Sequence, residues 1–136
     1  MNDDNLSLVM AGFAAYARGD ETTLREILDP EIEVHADVEM LNAGTFHGWE
    51  GWRRWTAEWE EAWEEITYEP LETIEVDDSL MVARVRVKGR GRGSGVEVTN
   101  ENGYLFETRG GKCTRFHLYA TRDKALAVAR RLSEES

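Results

Sequence analysis

Residues 48–65 read GWEGWRRWTAEWEEAWEE and hold every tryptophan of the chain: Trp49, Trp52, Trp55, Trp59 and Trp63. At about 100° per residue these side chains fall within an arc of roughly 120° on a helical wheel. Ala62 and Ile66 lie on or beside that arc, while Glu50, Arg53, Arg54, Glu58, Glu60, Glu61, Glu64 and Glu65 take the other side. The spacing predicts one amphipathic helix with a sharply divided surface. Its apolar face must be covered by another layer, so the flanking segments decide the architecture. Two roles are open to the indoles. They form the seam between helix and core, or they border a cavity, because so many large rigid bodies with an N–H donor each fit awkwardly into a small interior.

Upstream, Leu6, Val9, Met10, Phe13, Tyr16 and Ala17 recur at helical spacing over residues 4–18. Gly19 is placed to end that helix and Asp20 to cap a short second one carrying Leu24, Ile27 and Leu28. The second helix is expected to end at Asp29-Pro30, since the residue before proline is pushed out of helical geometry. EIEVHADVEM (31–40) alternates, with Ile32, Val34 and Ala36 on one face and Glu33, His35 and Asp37 on the other, and reads as a strand. LNAGTFHG (41–48) reads as a loop.

Downstream the chain turns to strands. They are ITYEPLETIEV, LMVARVRVKGR after a turn at Asp77-Asp78, GSGVEVTNENGYLFET with a bend near its glycines, and KCTRFHLYAT after the tight RGG turn. Thr121 is placed to cap a terminal helix carrying Leu126, Ala129 and Leu132. Helices first and antiparallel strands afterwards predict an α+β fold, with helices on one face of a curved sheet and a single domain over residues 1–136.

The totals narrow the function. With 27 acidic and 16 basic side chains the formal charge is −11, and the only basic cluster, RVRVKGRGR (84–92), alternates like a strand face. A polyanion would be repelled, so no nucleic-acid partner is expected. Cys113 has no possible intrachain partner, which fits a reducing cytoplasm. The opening MNDDNLSL is acidic where a secretion signal is basic, and no apolar run approaches membrane-spanning length. A cytoplasmic protein without a membrane partner is expected.

Several phrases taken in order, YARGDETTLREILDPEIEVHA (16–36), FHGWEGWRRW (46–55), GRGSGVEV (91–98) and GGKCTRFHLYATRDKALAVA (110–129), make the chain resemble the SnoaL-like family of the nuclear transport factor 2-like superfamily, to which ketosteroid isomerase also belongs. The resemblance implies a cone: a strongly bent, mostly antiparallel sheet wraps the N-terminal helices on its concave face and leaves a pocket at the open end. It also implies homodimers that meet through the outer sheet face. It does not fix an activity, because this fold hosts isomerases, cyclases, dehydratases, epoxide hydrolases and binding domains.

The catalytic groups of the isomerase are not matched. The position of its tyrosine falls near Gly12, with Tyr16 one turn later on the same helical face. The position of its proton-moving aspartate falls at Ala36, between His35 and Asp37. The position of its second acid falls near Asn102, with Glu107 taking that place if the register slips. Nor is the Asp–Arg–Asp set of family epoxide hydrolases found. His35 and Asp37 share a strand face, so the carboxylate could orient the imidazole, but the alternation turns both outward unless a bulge near Ala36 reverses the parity. His35, Asp37 and Glu107 are thus the catalytic candidates.

In KCTRFHLYAT, Thr114, Phe116, Leu118 and Ala120 form the inward face and Cys113, Arg115, His117 and Tyr119 the outward one. Arg115, His117 and Tyr119 are therefore the expected dimer face. His47 reads as a loop or capping residue. GRGRGSG lacks the helix and spacing of a dinucleotide loop, the histidines show no metal-ligand spacing, and no cofactor is implied. Asn100, Asn102, Tyr104 and Phe106 share one strand face, and an amide at 102 can hydrogen-bond a carbonyl or hydroxyl without any pKa tuning. Tyr16, Met40, Trp55, Trp59, Asn102 and Tyr104 are the expected ligand pocket. The predicted activity is binding of a small apolar molecule, either with proton-transfer chemistry (isomerisation, cyclisation or hydration of a carbonyl or polyketide-like compound) or as a non-catalytic binding or dimeric structural domain.

Overall fold

The structure, a computed structural model, describes residues 3–40 and 43–135. Leu41 and Asn42, in the segment read as a loop, and the first two residues of the acidic opening lie outside the described residues.

Helix α1 (Asp3–Ala17) stops where the glycine requires it. Gly19 adopts φ +69°, the Asp20 N–H donates to the Ala15 carbonyl at 2.9 Å and the Gly19 N–H to that of Tyr16 at 3.2 Å. This is a Schellman closure, which satisfies the last carbonyls of the helix. Asp20 then opens α2 (Glu21–Ile27), its carboxylate accepting from the Thr23 N–H at 3.1 Å and the Thr23 hydroxyl at 2.7 Å. The next strand begins earlier than the proline rule implies: β1 runs Leu28–Ala36, with Ile32, Val34 and Ala36 buried as the alternation predicts. The loop reading of 41–48 gives way to a short strand, β2 (Gly44–His47), which pairs antiparallel with β1 and buries Phe46.

The tryptophan helix α3 spans Gly48–Ala62, so the arc is broken at its last member. Trp63 is extended (φ −129°, ψ 149°) and opens β3 (Trp63–Asp77). Cross-strand pairing decides this: Trp63 pairs with Gly91 and Glu64 with Arg90 of β4 (Leu80–Gly91). The Arg92 N–H and guanidinium cap the carbonyls of Ala62 and Glu60 at 3.1 and 2.7 Å, closing the last turn.

Strands β5 (Glu97–Arg109) and β6 (Lys112–Tyr119) complete a curved, open six-stranded sheet in the order β2-β1-β6-β5-β4-β3. Among the described residues only β1 and β6 run parallel. Val34, Phe116, Tyr104, Ala83 and Val85 form the inner face and meet Ala15, Leu24, Trp55 and Trp59 of the helices. Trp55 and Trp59 are the buried pair, while Trp49, Trp52 and Trp63 pack against this core half-buried. Leu6 and Met10 of α1 remain exposed at the rim.

Two departures reshape the faces. A pairing irregularity between Glu107 and Thr108 turns Cys113 inward, against the expectation that it shares the outward face of Arg115. The terminal helix α4 (Arg122–Glu135), capped by the Thr121 hydroxyl at 3.2 Å, covers the outer face rather than the inner one. There Ala125 and Ala129 meet Leu80, Val82, Leu105 and Tyr119. Helices therefore occupy both faces of the sheet.

Candidate functional site

Between the helices and the concave face lies a cavity of about 80 Å³. Helix α1 contributes Val9, Gly12, Phe13 and Tyr16, α2 Leu24 and Ile27, and α3 Trp52 and Trp55; the sheet adds Tyr68, Tyr104, Phe106, Cys113 and Phe116. The surface facing the void is apolar throughout. A hollow of this kind offers water no polar partner, which favours an apolar occupant. The rings pack edge-to-face and tilted around it: Tyr104–Phe116 at 5.2 Å, Trp55–Phe116 at 5.5 Å and Phe13–Tyr104 at 5.7 Å between centroids.

Three phenols stand in this wall. Burial, the neighbouring Tyr68 and the charge of Glu60 raise the Tyr16 pKa, and burial raises those of Tyr68 and Tyr104. All three remain protonated donors at neutral pH. The Tyr16 hydroxyl donates to Glu60 at 2.9 Å, on the solvent side of the wall. The Tyr104 hydroxyl is enclosed and has no partner among the described residues. Burial likewise pushes the Cys113 thiol up to about 12, which leaves it an unreactive part of the lining.

A second hollow, of about 340 Å³, lies further along the same concave face. It is lined by Glu39, Met40, Trp59, Trp63, Ile66, Val87, Gly89, Val98, Asn100, Glu101, Asn102 and Ala120. The six residues expected to line one pocket are thus divided between two. Tyr16, Trp55 and Tyr104 line the inner cavity; Met40, Trp59 and Asn102 line the outer hollow. The division follows the elements. Trp55 and Trp59 are one helical turn apart, and Asn102 and Tyr104 are successive inward positions of β5. Phe13, Tyr68, Cys113, Phe116 and Trp63 also line these spaces. Helical spacing and strand alternation point Phe13 and Phe116 inward, and Trp63 belongs to the indole arc; nothing local indicates Tyr68 or Cys113.

The catalytic candidates stay out of the concave interior and gather on the outer face, where the His35 ring lies 5.8 Å from that of His117, the partner of Glu107. Asp37 pairs with Lys124 of α4 at 2.7 Å, and that hydrogen bond holds its carboxyl below the usual range. His35 faces Thr45 across the β1–β2 pair, its Nδ1 3.2 Å from the hydroxyl. Glu107 points outward and meets His117 Nε2 at 2.6 Å. Burial works to raise its pKa, but the His117 hydrogen bond and the Arg115 guanidinium outweigh it and leave the carboxyl below its ordinary value. Of the expected dimer face, Arg115 is exposed, paired with Glu33 at 3.2 Å. His117 and Tyr119 point outward as read but are buried, the tyrosine within the cluster that α4 forms on the sheet and its hydroxyl 3.3 Å from His117 Nδ1. His47 precedes α3 without a side-chain capping bond and lies 3.3 Å from Glu31. No helix among the described residues is long and apolar enough to cross a membrane.

Comparison with known proteins agrees with this architecture. Residues 9–116 match the model of the SnoaL-like domain. An NTF2-like protein of unknown function from Burkholderia pseudomallei K96243 superposes with a TM-score of 0.78 at 17% identity, over 93% of this chain and 97% of that one. An NTF2-like protein from Burkholderia xenovorans LB400 gives 0.77 at 25% identity, over 96% and 98%. TerC, crystallised with polyporic acid, gives 0.77 at 19% identity, over 94% and 98%. No curated protein matches the chain. The family match over most of the sequence, on a curved, open sheet with helices against its concave face, makes this chain a member of the SnoaL-like family.

Proposed function

We propose that the protein binds a small apolar ring compound in the inner cavity and does so without carboxylate-driven proton transfer. One observation carries this reading: the cavity is walled by aromatic and aliphatic groups, and no carboxylate is among its lining residues. Asp37 and Glu107, the acids that sequence position suggested, lie on the other face of the sheet against Lys124 and His117. A bicyclic hydrocarbon such as tetralin should change the tryptophan emission on titration, because Trp52 and Trp55 border the void. Substituting Trp55→Phe should remove most of that response. A flat titration of the wild-type protein up to the solubility limit of tetralin sinks the reading.

A proton-transfer enzyme acting on an apolar carbonyl or polyketide-like compound is the second reading, favoured by one contact. The Tyr16 hydroxyl, at the cavity wall, is backed by the Glu60 carboxylate at 2.9 Å. For a substrate whose carbonyl reaches this edge, the Glu60 carboxylate can take the α-proton and return it at the γ-carbon, while the Tyr16 hydroxyl hydrogen-bonds the enolate oxygen. Isomerisation of a β,γ-unsaturated cyclic ketone, followed by absorbance of the conjugated product, tests this. A rate no different from buffer, or one unchanged in Tyr16→Phe, excludes it.

We also infer a homodimer through the part of the outer face that α4 leaves open, where Arg115, Glu33 and His35 stand on β6 and β1. Its support is a strip of partly exposed polar side chains beside the buried His117. Light scattering should give twice the chain mass, and Arg115→Glu should halve it. A wild-type monomer at high concentration overturns this.

A further inference from the structure

The outer hollow owes its walls to two interruptions of the sheet. Strict alternation along β3 would put Trp63 and Ile66 on opposite faces. The irregularity between Glu64 and Thr67, with Glu65 at φ +56°, adds a residue and turns both into the hollow. The Nε1 atoms of Trp59 and Trp63 are enclosed, so these indoles turn carbon surface toward the space. The second interruption is the end of β6 at Tyr119, opposite Gly103 of β5. Asn102, the β5 residue just beyond that end, still pairs with Val85 of β4 and lines the hollow together with Ala120.

Asn102 is only 7% exposed, yet its carboxamide makes no hydrogen bond among the described residues. Its oxygen and nitrogen are not sealed in as the Tyr104 hydroxyl and the two indole N–H groups are, and they open on the hollow that Asn102 lines. Buried side-chain polar groups are nearly always paired. Here the pairing falls to whatever fills the hollow, solvent when it is empty and a ligand when it is occupied. The charged residues do not compete for that role. Glu39 lies 2.6 Å from Lys124, Glu101 lies 2.7 Å from Arg84, and no lysine, arginine or histidine lines the space. An anion would find no cation there and a cation no unpaired carboxylate, which selects an uncharged guest. A carboxamide presents an N–H donor and a C=O acceptor side by side in one plane. The complementary group is a cyclic amide, whose ring holds its own N–H and C=O on one edge.

Independently of what the inner cavity holds, we propose that the outer hollow binds an uncharged ring lactam, its amide edge paired with the Asn102 carboxamide and its ring against the indoles of Trp59 and Trp63. The test compares 3,4-dihydro-2(1H)-quinolinone with 2-tetralone, which has the same bicyclic frame and carbonyl but a CH2 in place of the N–H. By calorimetry on the full chain the lactam should bind about tenfold more tightly, the ratio expected of one added buried hydrogen bond. In proton–nitrogen correlation spectra the lactam should shift the side-chain NH2 pair of Asn102, assigned through its own Cβ. Asn102→Leu, close in size but without either polar group, should bind lactam and ketone equally.

Should that variant fail to fold, the wild-type spectrum still decides. A lactam that binds without moving the Asn102 NH2 pair, or no more tightly than 2-tetralone, overturns the proposal. So does a preference that survives in Asn102→Leu, since the discriminating group then lies elsewhere, with the exposed Asn100 the other amide of the hollow. No binding of lactam up to its solubility limit leaves Asn102 a solvated structural residue and overturns the site. None of these results alters the tetralin response of Trp52 and Trp55, so the two spaces stand or fall separately.

Discussion

At the scale of single residues, Tyr104 makes the sharpest case. Its ring is central to the aromatic packing, yet its hydroxyl is enclosed without a partner. Tyr104→Phe keeps the ring and removes the unpaired group. It should leave stability unchanged or raise it by about 1 kcal/mol in urea denaturation, where loss of a satisfied hydrogen bond would lower it. Two glycines give opposite expectations. A Cβ on Gly103 would collide with the backbone of Thr121 and Arg122 at the start of α4, within 2.8 Å of the Arg122 Cα. Gly103→Ala should therefore cost roughly 1–3 kcal/mol, since backbone cannot move aside as a flexible side chain can. Gly12 lies inside α1 with nothing within 4 Å of its would-be Cβ, and it lines the inner cavity. Gly12→Ala should stabilise the helix by about 0.5–1 kcal/mol and weaken tetralin binding by filling part of the void. Equal tetralin affinity in that variant would place the bound compound elsewhere.

Among elements, the turn from α1 to α2 was legible in the sequence because its determinants are local. Gly19 and Asp20 act through bonds to residues three to five positions away. The Asp20 carboxyl is held down to about 2 by the Thr23 hydroxyl, the Thr23 N–H and Arg18, against an ordinary 3.8. A depressed carboxyl contributes stability above its unfolded pKa and loses it as pH falls through the folded one. The cap should thus be intact above about pH 4 and be lost between there and about pH 2. Asp20→Asn cannot titrate, so the difference in Tm between wild type and variant should change across that acid window and stay constant between pH 5 and 7. A constant difference down to pH 2 would mean that the carboxylate is not the capping group.

Strand β3 was not legible in the same way. Ile66, Tyr68, Ile74 and Val76 all sit at even positions and read as one face. The irregularity between Pro70 and Glu72 reverses the parity midway. Ile66 and Tyr68 then line the concave spaces while Ile74 and Val76 pack with the α4 cluster. No pattern along the strand announces that reversal, because it depends on how the strand pairs with β4.

For the whole molecule, charge sets the terms of its stability. The outer face of β3, β4 and β5 carries a ladder of exposed ion pairs, Glu69–Arg86, Arg86–Glu101, Glu101–Arg84 and Arg84–Glu72, extended to Arg122 of α4. Exposed pairs of this kind contribute little individually and are screened by salt. The surplus of negative charge, −11 over the chain, repels itself over longer distances. Raising ionic strength from about 10 mM to about 150 mM shortens the screening length from roughly 30 Å to roughly 8 Å. The repulsion should be relieved more than the pairs are weakened, and Tm should rise. A fall in Tm over that range would show that the ladder outweighs the net charge.

The order of elements apart from β2, the caps around Gly19 and Thr121, the inward set of β1 and the family were determined by the sequence alone, since each follows from spacing a few residues wide or from phrases kept in order. Tertiary structure decided the rest: that Trp63 leaves the helix, that Cys113 turns inward, that α4 covers the outer face, and that the expected pocket is two spaces instead of one. It also placed Asp37 and Glu107 away from the concave interior, against partners that the fold supplies from α4 and β6. Voids, strand registers and distant ion pairs belong to no segment. They arise where surfaces from several elements meet, and their free energies depend on contacts that only the assembled fold creates.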